Sequence, residues 1–86
     1  MIFFVLTENG FKEVEQLFQG GNVILWLNKG ILESGEINEL RKIGMDITNF
    51  TYYINPDNKQ EVLGALSTIS EHHPDQSIWT EYKTAE

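Results

Sequence analysis

Residues 23–28, Val-Ile-Leu-Trp-Leu-Asn, form a nearly unbroken apolar run that stops at Asn28. A short run of this kind predicts a strand covered on both faces, as in a parallel sheet. Two further runs share the pattern: Phe3 to Leu6 precede Asn9, and Tyr52 to Ile54 precede Asn55. Parallel strands end at one edge of the sheet, where open α/β folds bind ligands, so the three turns are expected to lie together there.

Between these runs, apolar residues spaced by three and four positions predict amphipathic helices. The apolar positions are Phe11, Val14, Leu17 and Phe18 for the first helix, Ile37, Leu40 and Ile43 for the second, and Val62, Leu63, Leu66 and Ile69 for the third. Asn9 and Ser34 are the expected caps of the first two helices, and residues 57–61 carry two overlapping capping-box patterns before the third. Glycines follow the first two helices as expected stops, at Gly20-Gly21 and at Gly44.

Two strands are placed by composition and alternation. The third is expected within Met45 to Asn55, where Phe50 to Ile54 has the highest density of β-forming side chains. The fourth is expected within Ser77 to Tyr82, whose alternation of side chains predicts an edge strand. The element order is therefore βαβαβαβ.

This order predicts a single α/β domain over residues 1–86, with a four-stranded, mostly parallel sheet and three helices. A doubly wound, three-layer, Rossmann-like arrangement is the first choice. A two-layer sandwich and an antiparallel last strand remain open alternatives. Residues 83–86 are expected to form a frayed tail.

Composition excludes several classes of function. Thirteen acidic residues against six basic ones give a formal net charge of −7, whereas nucleic-acid binders need a basic face. The absence of cysteine excludes disulfides and thiolate metal sites. The first residues lack a basic leader, and their apolar run is too short for a signal peptide or a membrane span. We therefore expect a cytoplasmic protein that binds neither nucleic acid nor membranes.

Polar side chains cluster in the three turns and define the predicted ligand-binding residues. They are Thr7, Glu8, Asn9, Asn28, Lys29, Asn55 and Asp57. Asn side chains donate and accept hydrogen bonds, Lys meets phosphates or carboxylates, and the oxygens of Glu8 and Asp57 suit a hard cation such as magnesium. The same residue types are favoured by turns and helix caps, so a purely structural role is the competing interpretation.

Two short segments, Thr7-Glu8-Asn9-Gly10 and Ile54-Asn55-Pro56-Asp57, slightly resemble the toprim family. That family has a Glu after its first strand and a pair of Asp residues after its third. The resemblance implies magnesium-dependent phosphoryl or phosphodiester chemistry, with Glu8 and Asp57 as the metal ligands. Asn55 stands where the first acid of the pair is expected, so we do not transfer that chemistry to this chain and keep only Glu8 and Asp57 as candidate metal ligands.

Catalytic signatures are otherwise missing from the sequence. It contains no Gly-x-Ser-x-Gly elbow and no glycine-rich phosphate loop followed by Lys-Ser or Lys-Thr. The adjacent His72 and His73 diverge by about 100° on a helix, so they are expected to be exposed imidazoles at its carboxyl end rather than a metal site.

Two functions compete on these grounds. The leading one is a noncatalytic protein-interaction or regulatory module without a cofactor, which binds a basic protein or a second copy of itself. Its expected interface residues are Tyr53, Trp79 and Tyr82. The alternative is a small-ligand or magnesium-dependent phosphoryl-transfer domain with its site at the carboxyl ends of the strands.

Overall fold

Strands and helices alternate along the chain in the computed structural model, which describes residues 2–17 and 23–81. Within these residues the strands are β1 (Ile2–Val5), β2 (Ile24–Leu27), β3 (Asp46–Asn49) and β4 (Ile78–Thr80). The helices are α1 (Glu8–Glu15), α2 (Ser34–Lys42) and α3 (Lys59–His72). The predicted order βαβαβαβ is confirmed.

The described strands form one parallel sheet in the order β3-β2-β1-β4. In the centre, Phe3 of β1 lies opposite Leu25 of β2 on one side and Trp79 of β4 on the other. The last strand is therefore parallel, and the antiparallel alternative is wrong. The chain runs outward from β1 to β3 and then returns to the far side of β1, so the topological switch point lies between β1 and β4.

Helices cover both faces of the sheet. On one face, strand side chains pack against Val14 of α1 and Ile37 of α2. On the other face, Phe4 and its neighbours pack against Ala65 and Ile69 of α3. Successive strand residues point to opposite faces, so β1, covered on both, is buried along its whole length. The fold has three layers, and the two-layer alternative is excluded.

The third strand lies nearer the amino end of its predicted range. It covers Asp46–Asn49 and pairs with β2, whereas the predicted centre from Phe50 to Ile54 forms a loop. In this loop Phe50 and Ile54 are buried on the α3 side of the sheet, while Tyr52 and Tyr53 are exposed. The preference of aromatic side chains for strands reflects packing on a half-buried surface, and a buried loop provides that packing equally well.

Helix α1 has a different cap from the one predicted. Thr7 is the N-cap and its hydroxyl accepts a hydrogen bond from the Gly10 amide at 3.1 Å, whereas Asn9 lies inside the first turn. Leu17 and Ile43 follow the ends of α1 and α2 and are exposed, so they do not belong to the buried stripes predicted for those helices. Phe18 and the Gly20-Gly21 stop lie outside the described residues.

The other helix ends follow their sequence signals closely. At α2 the predicted cap is wrong by one residue: Ser34 is the first helical residue and Glu33 is the N-cap, whose amide donates to the Glu36 carboxylate at 3.3 Å. Asn58 caps α3, accepting from the amides of the second and third helical residues at 3.0 and 3.2 Å. Gly44 has φ +98°, the left-handed conformation predicted for the end of α2. None of the described helices is long and apolar enough to cross a membrane.

Candidate functional site

The loops that follow β1, β2 and β3 meet at the carboxyl edge of the sheet through the side chain of Asn28. Its Nδ2 donates to the carbonyl oxygen of Leu6 at 3.0 Å and to that of Ile54 at 2.7 Å. Its Oδ1 accepts from the amides of Lys29 and Ile54, both at 2.8 Å. One side chain therefore connects the end of β1, the end of β2 and the loop between β3 and α3.

Asn28 is fully buried, and its four hydrogen bonds use the whole capacity of a carboxamide. A buried amide left without partners would destabilise the fold, so the protein satisfies it internally. In the structure Asn28 is an internal bridge between these loops, and the ligand-binding role predicted for it stays a prediction.

A residue that the sequence did not single out, Glu81, occupies the switch point itself. Its carboxylate accepts hydrogen bonds from the backbone amides of Leu6 and Thr7, each at 2.8 Å. The Thr7 hydroxyl donates a third, short hydrogen bond to the same carboxylate. The Glu81 amide also donates to the carbonyl oxygen of Phe4 at 3.0 Å, which extends the pairing of β4 with β1 by one residue.

Gly10 provides the space for this carboxylate. A Cβ atom at Gly10 would lie 2.0 Å from Oε1 of Glu81. Thr7 contributes twice, because its hydroxyl donates to Glu81 and accepts from the Gly10 amide. We call this arrangement the Glu81 cradle: the amides of Leu6 and Thr7, the Thr7 hydroxyl, and the position beside Gly10 that has no side chain.

Electrostatics favour a negative group in the cradle. The exposed amides at the amino end of a helix carry partial positive charge, and the Glu81 carboxylate lies against the first turn of α1. Glu81 is also half-buried, whereas every other Asp and Glu in the described ranges is exposed. The cradle is therefore the place where this fold holds a carboxylate out of full contact with water.

The remaining predicted ligand-binding residues are all on the surface. They are Glu8, Asn9, Lys29, Asn55 and Asp57. Asn55 lies in the loop between β3 and α3 rather than directly after a strand, and its Oδ1 accepts from the Asp57 amide at 2.9 Å. Its own amide donates to the Glu61 carboxylate at 3.2 Å, so Asn55 shapes the approach to α3. Thr7, as described above, holds Glu81.

Glu8 lines an open groove of about 320 Å³ between α1 and the segment that enters α2. Lys12, Glu15 and Glu36 also line it, together with the buried Phe11. Acidic side chains thus outnumber basic ones along this groove. None of the other predicted ligand-binding residues lines it.

In the described part of the chain, no group of three or more His, Cys, Asp or Glu side chains is arranged to hold a metal ion. Magnesium binding by Glu8 and Asp57 therefore stays a prediction. His72 is exposed and its Nδ1 lies 2.9 Å from the Thr68 carbonyl oxygen, one turn back in α3. The rings of His72 and of the half-buried His73 pack on Trp26, with centroids 5.4 and 6.1 Å away.

The predicted interface residues fall into three different situations. Tyr53 is 61% exposed. Trp79 is half-buried on β4 and packs against Phe3, with ring centroids 5.8 Å apart. Tyr82 lies outside the described residues.

Comparison with protein-family models, with curated proteins and with solved structures finds no match to this chain. The resemblance to the toprim family therefore rests on the two short segments alone. In the structure, Glu8 opens α1 and Asp57 lies in the loop before α3, both on the surface.

Proposed function

We propose that this chain is a noncatalytic interaction module that binds a basic protein through the α3 side of its sheet. The observation that carries the proposal is the exposure of three large side chains there: Tyr52 is 52% exposed, Tyr53 61% and Leu63 53%. Tyrosine is enriched among residues that dominate binding energy, because it combines a large rigid surface with a polar end. Leu63 belongs to the predicted apolar stripe of α3 yet faces solvent.

The three side chains belong to one layer of the fold. Tyr52 and Tyr53 are flanked by Phe50 and Ile54, which pack in the same buried cluster as α3. Leu63 lies on α3 itself. We call Tyr52, Tyr53 and Leu63 the α3-side apolar residues. A partner that covered them would bury apolar surface that water now contacts, which favours association.

Charge supports a basic partner over a second copy. The formal net charge is −7, and nearly all of the described carboxylates are exposed. A field of this sign accelerates the encounter with a basic protein and opposes the approach of an identical acidic chain. Salt should therefore weaken the association. The cytoplasm is the expected location of the complex.

Affinity capture from a cell extract tests the proposal when it compares three versions of the immobilised protein. One is the wild type, one is a double variant of the α3-side apolar residues, Tyr53→Ser with Leu63→Ser, and the third is Leu17→Ser. Leu17 is 60% exposed and follows α1, which lies on the face of the sheet opposite α3. Leu17→Ser is therefore the matched control, because it removes exposed apolar surface away from the α3 side. Substitutions at exposed positions change stability little, so all three proteins should fold.

We expect a basic protein, released by salt, to be captured by the wild type and by Leu17→Ser but not by the double variant. Equal capture by all three proteins would contradict a role for the α3 side. Sedimentation velocity of the isolated wild type tests the alternative partner, a second copy of this chain. A stable dimer that the double variant abolishes would assign this surface to a second copy and overturn the basic-partner proposal.

A further inference from the structure

We propose that the open groove between α1 and the segment that enters α2 binds a linear aliphatic polyamine, a molecule whose ammonium groups are joined by methylene chains. We call it the α1–α2 groove. Its lining residues include Glu8 and Glu15 of α1, Ile31 and Leu32 ahead of α2, and Glu36 of α2. The groove lies on the face of the sheet opposite α3, so this inference does not depend on the α3-side apolar residues.

Part of the groove is apolar. Phe11 and Ile31 are buried and Leu32 is half-buried, and all three pack in the core cluster between the sheet and α1 and α2. The groove has a volume of about 320 Å³, which is at the lower end of the range for cavities that hold small ligands. A methylene chain lying against these side chains would remove apolar surface from water, which favours binding.

The charged residues of the groove favour a cation. Glu8, Glu15 and Glu36 are exposed, and their three negative charges face the single positive charge of Lys12. Lys12 lies between the two glutamates on the same face of α1, yet within residues 2–17 and 23–81 it forms an ion pair with neither of them. The groove therefore keeps an excess of two negative charges, which matches a ligand with two positive charges.

The spacing of the carboxylates favours an extended cation over a metal ion. Glu8 and Glu15 are two helical turns apart, so α1 separates them by about 10 Å along its axis. Like the rest of the described chain, the groove contains no cluster of three side chains placed to hold a metal ion. A linear diamine of eight carbons spans a comparable distance between its ammonium groups. Its methylene chain would then lie along the apolar part of the groove.

NMR titrations of isotope-labelled wild type with the eight-carbon diamine, the four-carbon diamine and magnesium chloride, at one salt concentration, provide the test. We expect saturable amide shifts with the eight-carbon diamine at Glu8, Lys12, Glu15 and residues 31–32. The four-carbon diamine reaches one end of the groove at a time, so it should bind about fivefold more weakly, the contribution of one exposed ion pair. Magnesium has the same charge without the methylene chain and should bind more weakly still.

Three outcomes of these titrations would overturn the proposal. One is the absence of saturable shifts with the eight-carbon diamine. Another is equal binding of the two diamines or of magnesium, which would show that charge alone attracts the cation. The third is equal binding of octylamine, which has the same chain with one ammonium group, because apolar contact alone would then explain the shifts.

Variants of α1 locate the site. Glu15→Gln should weaken binding of the eight-carbon diamine about fivefold, whereas Glu13→Gln removes the same charge from the same helix outside the groove and should leave it unchanged. Lys12→Gln removes the opposing charge and should strengthen binding by a similar factor, with Lys59→Gln on α3 as its control. All four positions are exposed, so these substitutions should change stability little.

Equal effects of Glu15→Gln and Glu13→Gln, or no gain from Lys12→Gln over Lys59→Gln, would contradict binding in the groove. The double variant Tyr53→Ser with Leu63→Ser separates this inference from the proposed function. It should lose the basic protein partner and bind the eight-carbon diamine as tightly as the wild type does. Loss of diamine binding in this double variant would overturn the placement of the site on the α1 and α2 side.

Discussion

Thr7 donates two hydrogen bonds to the Glu81 carboxylate, one from its amide at 2.8 Å and one from its hydroxyl, although 74 residues separate the two positions in the sequence. Thr7 also caps α1. The contact therefore connects the end of β4, the end of β1 and the start of α1. β4 is a strand of three residues at the edge of the sheet, and Glu81 comes directly after its last residue.

Replacement of Glu81 by Ala should lower the free energy of unfolding by about 2 kcal/mol. The change leaves three donors without their partner, and hydrogen bonds to charged groups contribute about 1.5–3 kcal/mol each before discounting for the partial exposure of Glu81. Urea denaturation measures the effect. Glu8→Ala, which removes an exposed carboxylate from the first turn of α1, is the control. Equal losses in the two variants would show that the cradle adds nothing.

Gly10→Ala should destabilise the wild type and stabilise Glu81→Ala. Alanine in a helix is ordinarily better than glycine by about 1 kcal/mol, but here its Cβ would lie 2.0 Å from Oε1 of Glu81. Without the Glu81 side chain this collision disappears and the helical preference remains. A double-mutant cycle from four denaturation curves gives the coupling between the two positions. Additive effects would contradict the close approach.

Asn28→Ala should cost at least about 3 kcal/mol of stability, because it leaves two buried carbonyls and two amides without the partners that the carboxamide supplies. Hydrogen exchange gives a local readout, since the Ile54 amide donates to Asn28 Oδ1 and should lose protection beyond the global effect. Asn9→Ala is the matched control on the surface. A similar, small change in both variants would remove Asn28 from its bridging role.

Trp79→Ala should lower stability by about 2 kcal/mol, whereas Tyr53→Ala should leave it nearly unchanged. Trp79 is half-buried and packs against Phe3 in the central strand, so its removal leaves a gap beside β1. Tyr53 is mostly exposed. Thermal unfolding of both variants distinguishes them. If Tyr53→Ala were the more destabilised variant, the assignment of Tyr53 to a binding surface rather than to the core would be contradicted.

Local signals in the sequence accounted for most of the element types. The run from Val23 to Leu27 is apolar because both faces of β2 are covered, and Gly44 ends α2 because glycine adopts positive φ without strain. The third strand, predicted to centre on Phe50 to Ile54 but found at Asp46–Asn49, shows the limit of such signals. Phe50 and Ile54 are apolar because they are buried, but burial in a loop and burial in a strand select the same side chains.

Of the candidate site, the sequence predicts only the position at the carboxyl edge of the sheet. The turn after β1 was predicted to lie at a ligand-binding edge, and Thr7 was among its residues. The alternation over Ser77 to Tyr82 predicts only an edge strand and assigns no role to Glu81, although an acid at the end of the last strand and Thr-x-x-Gly after the first strand are both present in the sequence. Its role depends on which strand lies beside β1, and composition does not specify strand neighbours.

The sequence by itself determined the alternation of strands and helices, a mostly parallel sheet and the acidic net charge, because hydrophobic period, caps and charge are local properties of the chain. Only the tertiary structure decided that β4 pairs with β1, that Asn28 connects the loops at the carboxyl edge of the sheet, and that Glu81 fills the cradle beside Gly10. Those features join residues far apart in the chain, and the packing of the whole sheet brings them together.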